Sequence, residues 1–302
     1  MKKPQKWQVV FILLLGVVSV SSAAIFVRLA MAAGEGGGVD FSLFLAASRL
    51  LVSALVILPL WKNIAKVKVN FKAYWYAVGA GISLAVHFAV WISSLSFTSI
   101  AASTTLVTTN PIWVAILSWW LLKEKPSKLT IAGISIAILG SIVIAFGDRA
   151  ATAAYSNPLL GNLLALTGSI FVSCYLLFGR LAQQNGLKID IYAAIAYTTA
   201  AIVLFPVPIL FGSGYLSYET PVYFYVFLMA VVSQLIGHTS FNWSLAVISP
   251  TLVALALLFE PICASFFGFL LFAEVPSLLV LLGGAIQLLG VGFAVIGDRR
   301  LT

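Results

Sequence analysis

The sequence predicts an all-α polytopic membrane protein of ten transmembrane helices, arranged as two inverted five-helix repeats. Three observations predict it. Of the 302 residues, 62% are apolar and only 9% are charged, with a mean hydropathy of +1.09. The apolar residues fall in uncharged runs near the length of about 20 that crosses a bilayer. The second half of the chain also repeats the first. A soluble domain carries about a quarter charged residues, and there is too little polar material here to coat one. Disorder is excluded as well, because disordered chains are poor in aromatics and rich in charge.

In chain order, the apolar runs between polar breaks place spans near 7–32, 41–61, 72–94, 100–122, 129–146, 159–180, 190–211, 223–246, 250–272 and 278–297. The basic start Met1–Lys6 and the small-residue triplet Ser22-Ala23-Ala24 look like parts of a secretory signal. An apolar run of about 25 residues is too long for a signal core of 7 to 15, so the first run reads as a span. The net charge of +8 does not point to nucleic acid, because Lys and Arg form short clusters between apolar runs rather than one basic face. They report orientation instead.

With the N-terminus in the cytoplasm, the inner segments hold Lys2, Lys3, Lys6, Lys62, Lys66, Lys68, Lys72, Lys123, Lys125, Lys128, Arg180, Lys188, Arg299 and Arg300, and the outer segments hold only Arg149. The excess of basic residues inside predicts both termini in the cytoplasm and an outer loop at 148–158. Glu35, Asp40, Asp148, Glu219 and Glu274 fall on the outer side without contradicting this. Trp7, Trp61, Trp75, Trp119 and Trp120 fall at span ends, where an amphipathic ring settles at the headgroup level. Cys174 and Cys263 both lie inside apolar runs and read as packed residues rather than as a disulfide or a metal site.

Shifted by 150 residues, Asn110-Pro111-Ile112 faces Glu260-Pro261-Ile262, and Leu121, Glu124, Pro126, Ser127, Gly133, Gly140, Gly147 and Asp148 all meet identical residues. About a third of this 39-residue stretch is identical without a gap. At a shift of 152, Gly16, Phe26, Arg28-Leu29-Ala30 and Gly34 meet Gly168, Phe178, Arg180-Leu181-Ala182 and Gly186. The repeats are therefore 1–150 and 151–302. Five spans each is an odd number, so the second repeat enters the membrane from the opposite side. Inverted repeats are typical of carriers whose midplane site is exposed alternately to the two sides.

The residues also support a family. Ser21-Ser22-Ala23-Ala24-Ile25-Phe26-Val27-Arg28, Arg49, the stretch from His87 to Pro111, Leu121-Leu122-Lys123-Glu124 before Pro126, and Leu270 to Glu274 before Pro276 resemble the drug/metabolite transporter superfamily. The resemblance is to proteins with two EamA-type domains, and Gly237-His238-Thr239-Ser240-Phe241-Asn242-Trp243 looks like a signature of a bacterial branch. It implies a ten-helix carrier of the inner membrane, with spans five and ten packed at the back and no cofactor. It favours export and leaves the substrate open: an amino acid or similar small metabolite first, an amphiphilic drug or nucleotide-type metabolite as the alternative.

Polar residues deep in the spans locate the candidate site. A charged carboxylate near the middle of span nine costs a few kcal/mol on insertion scales, so Glu260 faces an interior cavity or is protonated. A neutral carboxyl bonded to a neighbouring helix is the other reading. Its counterpart Asn110 is polar but cannot titrate. Pro111 and Pro261 follow at equivalent depths and free the carbonyls of Val107 and Leu257, which predicts paired kinks at mid-membrane. His87 and Trp91 share one face of span three, and Gln234, His238 and Asn242 form a similar stripe on span eight. Arg49, near the centre of span two, stays charged and needs an anion or carbonyl inside the bundle: a substrate carboxylate or Glu260. Gly133 with Gly140, and Gly283 with Gly290, mark close helix contacts.

Substrate and lipid are the partners, with protons or a second solute as the coupling species, and the chain is a monomer or a homodimer. No metal is expected, because no carboxylate or thiol has ligand spacing to either histidine. An intramembrane enzyme would need an aspartate pair, a Ser-His or Ser-Lys couple or HExxH, and an ATP-driven pump a GxxxxGK[ST] loop; the sequence contains none of these.

Overall fold

In lipid every backbone N–H and C=O must be satisfied within the chain, which leaves helices for a sequence of this composition. The computed structural model describes residues 4–34, 38–66, 69–98, 100–123, 125–147, 156–216, 218–272 and 277–297, and among them all regular structure is helical. Several residues that orient or align the sequence, including Lys2, Lys3, Glu35, Lys68, Glu124, Asp148, Arg149, Glu274, Pro276, Asp298, Arg299 and Arg300, lie outside the described residues. So does most of the predicted outer loop at 148–158. Eight helices are long and apolar enough to cross a membrane, and two more, with apolar stretches Lys128–Val143 and Leu281–Ala294, complete the ten.

Span one is Lys6–Ala33, span two Val39–Ile57 with a 3₁₀ extension Leu58–Lys66, span three Phe71–Ser94, span five Lys128–Gly147, span six Pro158–Gln184 and span ten Leu278–Gly297. Local chemistry starts them where it should. Asn70 accepts from the Lys72 N–H, Asn157 from that of Leu160 and Ser249 from that of Leu252, each filling a donor that the helix itself leaves open. Pro158, Pro221 and Pro250 sit in first turns, where no N–H is required. After span six, Gly186 turns at φ 100°, a left-handed conformation that a side chain disfavours, and so reverses the chain into span seven, Ile189–Leu204.

Spans four, eight and nine are not single α-helices. Span four breaks at Thr108-Thr109 into Ile100–Val107 and Asn110–Leu117, then ends in a π turn, Ser118–Leu122. Span nine breaks at Leu258-Phe259 into Pro250–Leu257 and Glu260–Phe272. The prolines were expected to kink continuous helices. They instead occupy the first turn of a second helix, where the missing donor costs nothing. In span four the Thr108 and Thr109 hydroxyls donate to the carbonyls of Thr104 and Leu106, both at 2.7 Å, carbonyls that also accept from the backbone N–H groups of Thr108 and Thr109. Span eight runs from Thr220–Leu228 through ten residues of π-helix, Met229–His238, into Thr239–Leu245.

The packing keeps its pattern when the halves are exchanged. Span three lies on span six as span one lies on span eight, spans two and seven pack together, and spans four and nine cross. Spans five and ten make the most extensive contact of all. A Cβ on Gly140 would come 2.5 Å from the Gln287 nitrogen and 2.6 Å from the Gly283 oxygen, so only glycine allows this approach. Gln287 also donates to the Ser141 hydroxyl at 2.8 Å. Side chains on the bundle exterior such as Leu139, Leu163, Phe224 and Leu289 are exposed and apolar, as lipid contact requires, and Trp7, Trp61, Trp75, Trp119 and Trp120 are exposed at helix ends.

The turns sort onto two faces. Ser42 bonds Ser96 at 3.0 Å, and Ser213 donates to the Asp40 carbonyl at 3.0 Å, joining turns on one face. On the other, the turn at Gly186 rests against Val69.

Candidate functional site

Seven spans converge on one interior cavity, walled by Val20 and Ala23, Arg49, His87, Phe88 and Trp91, Val107, Thr108 and Asn110, Val172 and Leu176, His238 and Phe241, and Leu257 and Glu260. Among the described residues, spans five, seven and ten contribute nothing to it. Its walls follow the repeat: Val20 pairs with Val172, His87 with His238, Val107 with Leu257 and Asn110 with Glu260. The free volume is about 30 Å³, room for roughly two water molecules. The site is thus narrow, with little free space among its polar groups.

Of the residues singled out from sequence, Glu260, Asn110, Arg49, His87, Trp91 and His238 reach this cavity. Gln234 and Asn242 do not; both are fully buried one layer behind it. An α-helical stripe was expected to carry Gln234, His238 and Asn242 together. Span eight, π-wound through Met229–His238 and α-helical after it, turns His238 and Phe241 to the cavity, while Gln234 bonds Arg49 and Asn242 bonds Tyr175.

Arg49 is completely buried. One terminal nitrogen donates to the Gln234 side-chain oxygen at 3.1 Å, and the guanidinium carbon lies 3.9 Å from the centre of the Phe88 ring. Its Nε and Nη1 have no hydrogen-bond partner. Arg49 therefore makes no hydrogen bond to Glu260, and two donors of a fixed fork remain for another acceptor. The Asn110 side-chain oxygen and the Trp91 indole nitrogen are likewise buried and unbonded. Asn110 and Glu260 each begin the second helix of a broken span.

His87 donates from Nδ1 to the Gly168 carbonyl at 2.9 Å, since a carbonyl can only accept. In the neutral ring this leaves Nε2 as an acceptor. The His87 and Trp91 rings lie parallel within 2° with centroids 6.0 Å apart. His238 meets Phe88 and Tyr175 edge to face at 5.3 and 6.0 Å. Behind it, Tyr175 donates to the Asn242 side-chain oxygen at 2.8 Å, and the Asn242 amide donates to the Tyr197 hydroxyl at 3.1 Å.

Phe88, Phe241, Thr108 and the tyrosines were not singled out from sequence. Phe88 and Thr108 had a signal, being adjacent to His87 and to the Asn110-Pro111 break. The repeat also matched Gly16 with Gly168, and both prove to be where a cavity aromatic packs: a Cβ there would come 2.9 Å from Phe241 and 3.3 Å from Trp91. The tyrosines had none, since only folding brings spans six and seven to span eight. Cys174 and Cys263 are free and partly buried, and among the described residues no three His, Cys, Asp or Glu side chains are grouped to hold a metal ion.

Broken helices meeting across an inverted repeat, with polar groups at mid-depth, define a multi-pass membrane transporter. The chain belongs to the EamA-like transporter family, which matches it twice, over residues 7–146 and 159–296. It is 28% identical over 186 residues to the thiamine-repressible mitochondrial transport protein THI74 of Saccharomyces cerevisiae, an alignment covering 59% of this chain and 50% of that protein. An uncharacterized transporter of Archaeoglobus fulgidus is 21% identical over 270 residues, 88% of this chain and 90% of its own. Bacillus subtilis YdfC, also an uncharacterized transporter, is 27% identical over 209 residues, 68% of this chain and 65% of its own. The chain thus spans about half the yeast protein and nearly all of the archaeal one. One crystal structure superposes with a TM-score of 0.73 over 98% of this chain and 99% of that one at 17% identity, a likeness of fold.

Proposed function

We propose that this protein is a secondary active transporter of the inner membrane, with both termini in the cytoplasm, that exports a small zwitterionic metabolite such as an amino acid by alternating access. The observation that carries the reading is the presence of Arg49 and Glu260 in the walls of one cavity. Arg49, from the first repeat, has Nε and Nη1 unbonded, and Glu260, from the second, stands in the same walls. A carboxylate fits the guanidinium fork and an ammonium fits the carboxylate, while Asn110 and the aromatic walls receive the rest of a small solute.

Glu260 is also the titratable carboxyl of the cavity, and its loss or gain of a proton between the two open states couples export to the proton gradient. Exchange against a second solute is the other coupling that the site allows. The small cavity fits a carrier seen between its open states, since the walls must part before an organic solute enters. A nucleotide-type substrate is less well matched, because Arg49 is the cavity's one cation among the described residues.

The test is thermal unfolding of the purified protein with amino acids, their carboxyl-free amines, nucleotides and amphiphilic dyes. A ligand at 100 times its Kd stabilises by about 2.7 kcal/mol. Amino acids are expected to raise the unfolding temperature and the corresponding amines to lose the effect. Stabilisation by nucleotides or dyes alone would overturn the substrate class while leaving the carrier intact.

A further inference from the structure

Behind the cavity, spans six, seven and eight are joined by a buried chain of side-chain hydrogen bonds, and a separate bond ties span two to span eight. Tyr175 of span six bonds Asn242 of span eight, which bonds Tyr197 of span seven, whose hydroxyl meets that of Thr239 at 3.1 Å. Gln234, one π turn up span eight, holds Arg49 of span two. Tyr175, Tyr197, Gln234, Asn242 and Arg49 are all completely buried. The same end is tied further by Gln183, whose amide donates to the Asn242 carbonyl at 2.9 Å, and by Arg180, which donates to the Leu245 carbonyl.

The repeat does not copy this chain. At the corresponding depth in the first half, Tyr175 and Asn242 are matched by Ala23 and Trp91. On the opposite face packed rings stand instead: Phe44 stacks on Tyr218 at 4.1 Å, and Phe41 meets Tyr218 edge to face at 5.2 Å. The two faces are thus held differently, by hydrogen bonds on one side and by aromatic contact on the other. Hydrogen bonds between membrane helices are directional and singly weak, about 0.6 kcal/mol on average, so a chain of them opens when its ends are drawn apart.

We propose that Tyr175, Asn242 and Tyr197 form the lock that closes the cavity on the Gly186 face, and that Gln234 is a positioning residue tying this lock to Arg49. The inference rests on the alternating-access reading above. Its consequence is direct. Among the described residues Gln234 is the hydrogen-bond partner of the Arg49 guanidinium, so an acceptor that draws the guanidinium toward the cavity pulls on the same span eight that carries Asn242 and Thr239. Ligand binding and release of the lock then share one mechanical element, the π-helix Met229–His238.

The experiment needs no known substrate. Val172→Cys, in a background carrying Cys174→Ala and Cys263→Ala, places a thiol in the cavity wall, and its reaction with a charged, impermeant maleimide is timed in vesicles of either orientation. Tyr175→Phe and Tyr197→Phe keep the rings and remove one and two bonds respectively. At one such bond expressed as an equilibrium ratio, Tyr175→Phe is expected to speed labelling about threefold from the Gly186 face and Tyr197→Phe by about sevenfold, both leaving labelling from the other face unchanged. Gln234→Leu should do the same, and Gln234→Glu, which keeps the acceptor for Arg49, should restore the parent rate.

Unchanged labelling in both tyrosine variants, or equal acceleration from both faces, would overturn the lock. Failure of Gln234→Glu to differ from Gln234→Leu would overturn the tie to Arg49. If a tyrosine variant does not reach the membrane, Thr239→Val removes a hydroxyl from the same chain and is read against the same outcomes. Because the readout is thiol access, the lock can fail while the amino acid reading stands, and the reverse.

Discussion

The Arg49 guanidinium carbon sits 3.9 Å from the centre of the Phe88 ring, with both side chains at most 1% exposed. The cation is thus held in a membrane interior by one amide and one π face, without a direct hydrogen bond to a carboxylate. A desolvated cation–π contact contributes about 2 kcal/mol, which makes Phe88 a support of the charge as well as a wall of the cavity.

Phe88→Leu, which keeps an apolar side chain but loses the ring, should lower stability by about 1–2 kcal/mol. It should also weaken stabilisation by carboxylate ligands, because Arg49 is then less firmly placed. Thermal unfolding with and without ligand measures both. An unfolding temperature and a ligand shift equal to the parent's would show that the ring contact carries no weight.

Glu260→Gln keeps shape and removes the titratable proton. In proteoliposomes this variant should bind substrate yet no longer respond to an imposed pH gradient. His87→Gln and His238→Gln are the controls, since both imidazoles share the cavity. Flux in Glu260→Gln that follows the gradient as the parent does would make the carboxylate structural.

Spans five and ten supply a test of the scaffold away from the site. Gly140→Ala puts a methyl group 2.5 Å from the Gln287 nitrogen and should destabilise by roughly 1–3 kcal/mol, because two helix backbones must separate. Gly292, on the same pair of helices, has nothing within 4 Å of its Cβ, and Gly292→Ala should be neutral or slightly stabilising. Comparable unfolding temperatures for the two variants would contradict the packing.

Orientation is tested at Ser156, an exposed residue just before span six. With both termini in the cytoplasm, Ser156→Cys should react with an impermeant thiol reagent applied to cells with a permeabilised outer membrane. Reaction only after the inner membrane is lysed would reverse the topology.

Most of the architecture was legible because lipid leaves a chain few options. An apolar run of sufficient length must be a helix, and a repeat with an odd number of spans must be inverted. Legibility fell where backbone geometry depended on neighbours. The Asn110-Pro111 and Glu260-Pro261 pairs announced a disturbance, but whether a span kinks or breaks into two helices depends on what packs around the break. The π-helix of span eight carries no comparable mark.

By itself, then, the sequence determined the solvent, the number of spans, the repeat and the polar residues too costly to face lipid, since each follows from composition, length and spacing along one chain. Tertiary structure alone decided which of those residues meet. Arg49 could have paired with Glu260, yet it bonds Gln234 and leans on Phe88, from spans eight and three. Tyr175 and Tyr197 became a buried network only because spans six, seven and eight close on one another. Contacts between helices far apart in sequence depend on register and crossing geometry, and a π turn or a glycine such as Gly168 shifts that register without changing the hydrophobic pattern from which the spans are read.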